Sequence, residues 1–98
     1  MNELRFEWDE RKNSLNRRKH GVDFDEAQTA FYDDHAALID DPDHSETEER
    51  FVLLGMSAVL RVLVVCHCVR AGGDVIRIIS ARRADRAEQR NYQRNQER

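Results

Sequence analysis

Ninety-eight residues, 36% of them charged, supply one modest core, so a single domain over residues 1–98 is expected. No apolar run reaches the 18 residues of a membrane-crossing helix, and no basic stretch followed by an apolar one opens the chain. The expectation is a cytoplasmic protein with no membrane partner. The net charge of -3 conceals segregation: residues 21–50 carry eleven acids against Arg50, and residues 77–98 carry seven arginines against Asp85, Glu88 and Glu97.

The apolar entry Leu4 to Trp8 reads as an edge strand. Asp9 then caps a helix that runs to Lys19 or His20 and stops at Gly21. This helix is mostly polar, with Leu15 as its one aliphatic anchor, helped by Trp8. Asp23 and Glu26 have capping-box spacing and open a second helix, whose Phe24, Ala27, Ala30 and Phe31 form a stripe for the core. The acidic stretch that follows holds the only proline, Pro42, in a turn, with Ala37-Leu38-Ile39 a short strand before it. Three stronger strands, Arg50–Leu54, Leu60–Val69 and Val75–Arg82, are joined as successive hairpins through Gly55–Val59 and Arg70–Asp74. From Ala84 the chain turns helical, and its few apolar residues (Ala84, Ala87, Tyr92) predict weak anchoring. The fold class is therefore α+β: a strand and two helices, an antiparallel meander, and a closing helix.

From Arg82 an arginine recurs every fourth residue through Arg86, Arg90, Arg94 and Arg98, the spacing of neighbours on one helix face. Like charges so placed repel, which points to an anionic partner such as RNA or an acidic protein surface. Fourteen of the sixteen basic residues are Arg, whose guanidinium suits bidentate contacts to phosphate or carboxylate; a GC-rich genome would favour the same codons. Cys66 and Cys68 fall on one face of a strand and read as reduced, small core residues. No zinc-binding spacing accompanies them, and no metal or cofactor is expected.

RNA cleavage without a metal needs a base for the ribose 2′-hydroxyl, positive charge on the phosphate and a proton for the leaving oxygen. His20, His67, Glu88, Tyr92 and the arginines from Arg77 to Arg86 are the candidates. His20 ends the first helix, where capping is at least as good a role as catalysis. His67 points away from the cysteines; if its face is open, Arg61 shares it. A loop over Arg70–Asp74 sets His67 opposite Arg77, whereas a two-residue Gly72-Gly73 turn sets it near Ile78. Glu88 and Tyr92, one turn apart, either act as base and donor or pack a phenol on the sheet and tie a carboxylate to an arginine. Arg77 sits among isoleucines, where a charge needs a paired anion or an open face.

Several segments together resemble the BrnT family of type II toxins. They are Phe6-Glu7-Trp8-Asp9 with Lys12, Lys19-His20-Gly21-Val22-Asp23-Phe24 with Glu26-Ala27 and Phe31, Glu49-Arg50 and Gly55. The most specific is Arg77-Ile78-Ile79-Ser80-Ala81-Arg82-Arg83-Ala84 with Glu88 and Tyr92. The resemblance implies a RelE-like fold and a ribonuclease that blocks translation. It also implies neutralisation by a BrnA-type ribbon-helix-helix antitoxin, through which the complex binds operator DNA. Carried over by position, its motifs fall on Lys19, His20 and Gly21 and on Arg77, Ser80, Arg82 and Arg83 with Glu88 and Tyr92, without dividing the roles among them. The expected catalytic set is Arg77, Arg82, Arg83, Glu88, Tyr92 and His20. Lys19, Ser80, Arg61, Arg86, Arg90 and His67 are the expected RNA contacts. The rival reading from the residues is a non-catalytic Arg-rich module that holds an acidic protein or nucleic acid. A metal site among residues 33–49 is disfavoured, because Asp43-His44 lacks convergent companion ligands.

Overall fold

The computed structural model describes residues 4–40 and 50–97, so the expected turn at Pro42, Asp43-His44 and Arg98 lie outside the described residues. Strand β1 (Arg5–Glu7) leads into helix α1 (Glu10–His20), and α2 (Phe24–Thr29) runs on into a 3₁₀ turn at Ala30–Tyr32. Strands β2 (Ala37–Asp40), β3 (Arg50–Met56), β4 (Val62–Arg70) and β5 (Val75–Arg83) follow, and α3 (Arg86–Gln96) closes the chain. Asp9 caps α1 through the Arg11 amide, and Gly21 ends it in the left-handed conformation at φ 69°. Asp23 caps α2, but Glu26 does not complete the expected box; its carboxylate goes to Arg61 and Ser57 instead. The capping box belongs to α3, between Asp85 and Glu88.

The five strands form one sheet in the order β1-β5-β4-β3-β2, with β1 parallel to β5 and the other neighbours antiparallel. Phe24, Ala27, Ala30, Leu53, Leu63, Val65, Ile76, Ile78 and Ala81 are buried between α2 and one face of this sheet. Gly55 makes the closest approach: a Cβ there would stand 2.9 Å from the Ala30 carbonyl oxygen, so a side chain would push the 3₁₀ turn off β3. The β4–β5 turn carries Gly72 and Gly73 at φ 68° and 100°, and Arg70 pairs with Val75. Of the two registers open from sequence, the one that sets His67 near Ile78 is adopted, with a 3₁₀ turn at Ala71–Gly73 in place of a two-residue turn.

One step further the ladder slips. Cys66 pairs with Ser80, so Ile79 is an extra residue in β5, a β-bulge. The buried positions of β5 accordingly run Ile76, Ile78, Ala81 and not in strict alternation. Without the bulge Arg77 would share a face with Ala81; with it, Arg77, Ser80 and Arg82 stand opposite Cys68, Cys66 and Val64, on one face.

Helix α1 corrects the expected anchor. Leu15 is 61% exposed, and the buried residues of α1 are Asn13 and Asn16. The reason is the length of β1, which covers β5 only as far as Arg77. Beyond it the backbone of β5 needs another partner. Asn16 supplies one: its Nδ2 donates to the Ala81 and Val22 carbonyls at 2.7 and 2.9 Å, and its Oδ1 accepts from the Ala81 amide at 3.0 Å. Asn13 Oδ1 accepts from the Phe24 amide at 2.9 Å, which ties α1 to α2. The helix docks by completing backbone hydrogen bonds, so it needs no apolar stripe.

Helix α3 has better anchors than its composition suggests. Tyr92 is 2% exposed and its hydroxyl donates to Asp33 at 2.6 Å, while Asn95 donates to the His35 carbonyl at 2.6 Å. Asp33 also accepts from the Met56 amide at 2.8 Å, so a single carboxylate joins α3 to the end of β3. Replacing Asn16 by Ala is expected to destabilise the fold by about 2–3 kcal/mol, because it strands buried backbone groups. Leu15→Ala is expected to change stability by less than about 0.5 kcal/mol. Chemical denaturation of both variants checks the pair.

Candidate active site

The bulge assembles a polar surface on the sheet face opposite the core. Arg77 and Glu7 stand side by side there on β5 and β1, and the Arg77 guanidinium donates to the Glu7 carboxylate at 2.7 Å. The same oxygen accepts from Arg70 at 2.9 Å, so two guanidinium groups share one carboxylate. Arg82 makes a bidentate pair with Glu88, at 2.8 and 2.9 Å, that ties β5 to the first turn of α3. Ser80 lies between Arg77 and Arg82 in sequence, half-buried, and Arg50 stands on the same face opposite Cys68.

These contacts set the charge states. The hydrogen bond from Arg77 holds the Glu7 carboxyl below its usual range, with Arg70 adding to it. The Arg82 guanidinium does the same for Glu88, and the Asp85 amide adds to it against the opposing effect of burial. Both carboxylates are ionised at neutral pH and both are held by guanidinium groups. Glu88 is therefore a weak base until something else occupies Arg82.

The remaining candidates fall elsewhere. Arg83 stands opposite Leu63, on the other side of β5 from Arg82. It joins Arg61, Arg86 and Arg90 around a cleft of about 450 Å³ between α3 and the tip of the β3–β4 hairpin. Met56, Leu60 and Val62 contribute its apolar lining. Lys19 and His20 end α1, next to Gly21, whose carbonyl accepts from Arg61 at 3.1 Å. They belong to the hairpin end of the molecule, which the Arg77 face does not include.

Two expected residues are removed from the surface. His67 is 2% exposed on the core face, with its ring centroid 4.7 Å from Phe31 and 6.1 Å from Phe51, and its Nδ1 lies 3.2 Å from the Val65 carbonyl. Burial pushes its pKa down, so it is a neutral core histidine and makes no contact with RNA in this fold. Tyr92 is held inside as described, its phenol pushed up to about 12 by burial and by Asp33. Of the two readings of the Glu88–Tyr92 pair, the packed phenol and the tied carboxylate are what the fold adopts.

Sequence reasoning missed Glu7 as the partner of Arg77 and Glu26 as the partner of Arg61. Both are long-range pairs that only the parallel β1–β5 ladder and the hairpin bring about. The need of Arg77 for an anion was the one usable signal. Among the described residues no group of three or more His, Cys, Asp or Glu side chains converges as a metal site would, and no helix is long and apolar enough to cross a membrane.

The chain is an α+β domain that carries paired guanidinium and carboxylate groups on the sheet face opposite its core. The family described as "Ribonuclease toxin, BrnT, of type II toxin-antitoxin system" matches over residues 8–88, and the chain belongs to it. It is thus an RNA-cleaving toxin with an antitoxin as partner. The fold is shared with the 1.1 Å crystal structure of the ribonuclease toxin BrnT of Brucella abortus. The two are 23% identical with a TM-score of 0.63, over 86% of this chain and 100% of that one. No curated protein sequence matches significantly.

The pair Glu26–Arg61 yields a pH prediction. Hydrogen bonds from Arg61, then from Ser57, hold Glu26 below its usual value of 4.5 despite partial burial. The stability this carboxylate contributes is complete above that value and is lost as the pH falls through the lower, folded-state pKa. Glu26→Gln is therefore expected to lower the melting temperature at neutral pH, with the gap to the parent chain closing as the pH falls below 4.5 and through the lower folded-state pKa. Thermal melts from pH 7 to pH 3 follow it.

Proposed function

We propose that RNA is cut on the Arg77–Ser80–Arg82 face, by transfer of the scissile phosphate to the ribose 2′-oxygen and without a metal ion. One observation carries this reading: the bulge at Ile79 gathers Arg77, Ser80 and Arg82 on a single face beside the ion-paired Glu88. A phosphodiester offers oxygens that match the fork of Arg82 as a carboxylate does. When the phosphate takes Arg82, Glu88 is released, its pKa rises, and it becomes the base for the 2′-hydroxyl proton. The 2′-oxygen attacks phosphorus and the bond to the 5′-oxygen breaks. The 5′-oxygen takes its proton from water at the open face, leaving a 2′,3′-cyclic phosphate and a 5′-hydroxyl. Arg77, held in place by Glu7, neutralises the charge that develops on the phosphoryl oxygens, and Ser80 donates a hydrogen bond to them.

Cleavage of cytoplasmic RNA by this route blocks translation. The partner in this reading is a BrnA-type ribbon-helix-helix antitoxin, and the complex reaches operator DNA only through that antitoxin. Arg77→Ala and Arg82→Ala are each expected to slow cleavage by about 10²-fold or more. Glu88→Gln, which keeps the capping box, is expected to cost about 10²–10⁴-fold. Single-turnover cleavage of a labelled RNA in EDTA, with the products resolved as cyclic phosphate and 5′-hydroxyl ends, tests all three. Cleavage that needs added Mg²⁺, or unimpaired Arg77 and Arg82 variants, would overturn the reading.

A further inference from the structure

The cleft between α3 and the hairpin tip is distinct from the RNA face, and its chemistry differs. Arg86, Gln89, Arg90, Gln93 and Gln96 line it from one side of α3, a row of about 15 Å. Among the described residues, Arg83, Arg86 and Arg90 have no carboxylate partner, whereas Arg61 is neutralised by Glu26. From the hairpin, Met56, Leu60 and Val62 add apolar lining beside Arg61. The cleft offers no open aromatic ring, since the one ring that lines it belongs to the buried Tyr92. Single-stranded RNA is ordinarily held by stacking its bases on such rings.

A second feature points to a protein. Leu60 is 78% exposed, and among the described residues it is the only non-glycine with a positive φ, at 65°. A branched side chain in that region is strained, and here it is held outward in water at the rim of the cleft. The tip that holds it is over-determined. Ser57 and Arg61 bond across the turn, the Ala58 amide donates to Thr29, and Glu26 grips both Ser57 and Arg61. Val59 beside it is 63% exposed. Exposed apolar side chains on a rigid tip, facing uncompensated arginines, are the complement of an acidic segment with apolar anchors.

We propose that this cleft seats an acidic, amphipathic segment of the antitoxin, with carboxylates on Arg83, Arg86 and Arg90 and an apolar residue against Leu60, Met56 and Val62. The proposal rests on the family's toxin–antitoxin pairing and leaves the RNA face unblocked by those contacts. The test uses the full chain and its cognate antitoxin, with affinity measured by titration calorimetry and cleavage of a labelled RNA measured on the free toxin. The double variant R86E/R90E is expected to weaken antitoxin binding by about 100-fold or more. Leu60→Gly, which suits the backbone, is expected to weaken it by about tenfold. Leu60→Gly is expected to fold and to cut RNA within about twofold of the parent chain, since Leu60 lies at the hairpin tip and away from the Arg77 face. Antitoxin affinity unchanged in both variants would overturn the proposal. So would loss of RNA binding and cleavage in R86E/R90E with the antitoxin still bound, which would give the cleft to RNA. A parent chain that cuts no RNA would sink the cleavage mechanism while leaving the affinity comparison as decisive as before.

Discussion

One inserted residue, Ile79, governs how the rest of the molecule is arranged. It shifts β5 by one position halfway along its length, so that Ile76, Ile78 and Ala81 reach the core while Arg77, Ser80 and Arg82 share the opposite face. The same stretch of β5 lies beyond the reach of the short β1, and Asn16 of α1 closes it by pairing with both backbone groups of Ala81. The strand edge that would otherwise be open is thereby covered by a helix with almost no apolar surface. The division of β5 side chains between core and polar face thus depends on one local irregularity.

The arginines divide into two electrostatic groups. Arg61, Arg70, Arg77 and Arg82 are each tied to a carboxylate, and their charge is balanced before any partner arrives. Such pairs contribute little net stability when solvent-exposed, but they keep long side chains in one geometry. A phosphate entering there exchanges one anion for another and meets groups already oriented, which lowers the cost of binding. Arg83, Arg86 and Arg90 have no such balance among the described residues and keep their full positive field. An incoming acidic group gains there without displacing anything. Two surfaces built from the same residue type therefore differ in their net charge.

The hairpin tip is the third element of this design. Glu26 of α2 holds Arg61 and Ser57, and Arg61 reaches on to the carbonyl of Gly21, so α1, α2 and the β3–β4 turn are tied into one unit. The Lys19-His20-Gly21 segment is part of that unit, a structural reason for its spacing that requires no chemistry from His20. Asp33 does similar work at the other side of α3, where it accepts from Tyr92, Met56 and the His35 amide. Burial raises its pKa but these donors outweigh it, and the carboxyl stays below its usual range.

Local signals were legible in the chain itself. Asp9, Gly21 and Asp23 mark helix ends because caps and left-handed stops are single-residue effects, and the Val- and Ile-rich runs mark the central strands. The arginine-rich segment and the family it belongs to were also readable, because they depend on residue order. Tertiary structure alone decided the β4–β5 register, the burial of His67 and Tyr92, the exposure of Leu15, and which arginines carry an internal counter-ion. Each of those turns on where a residue meets another that is distant in sequence, and a shift of one strand position reverses every such meeting.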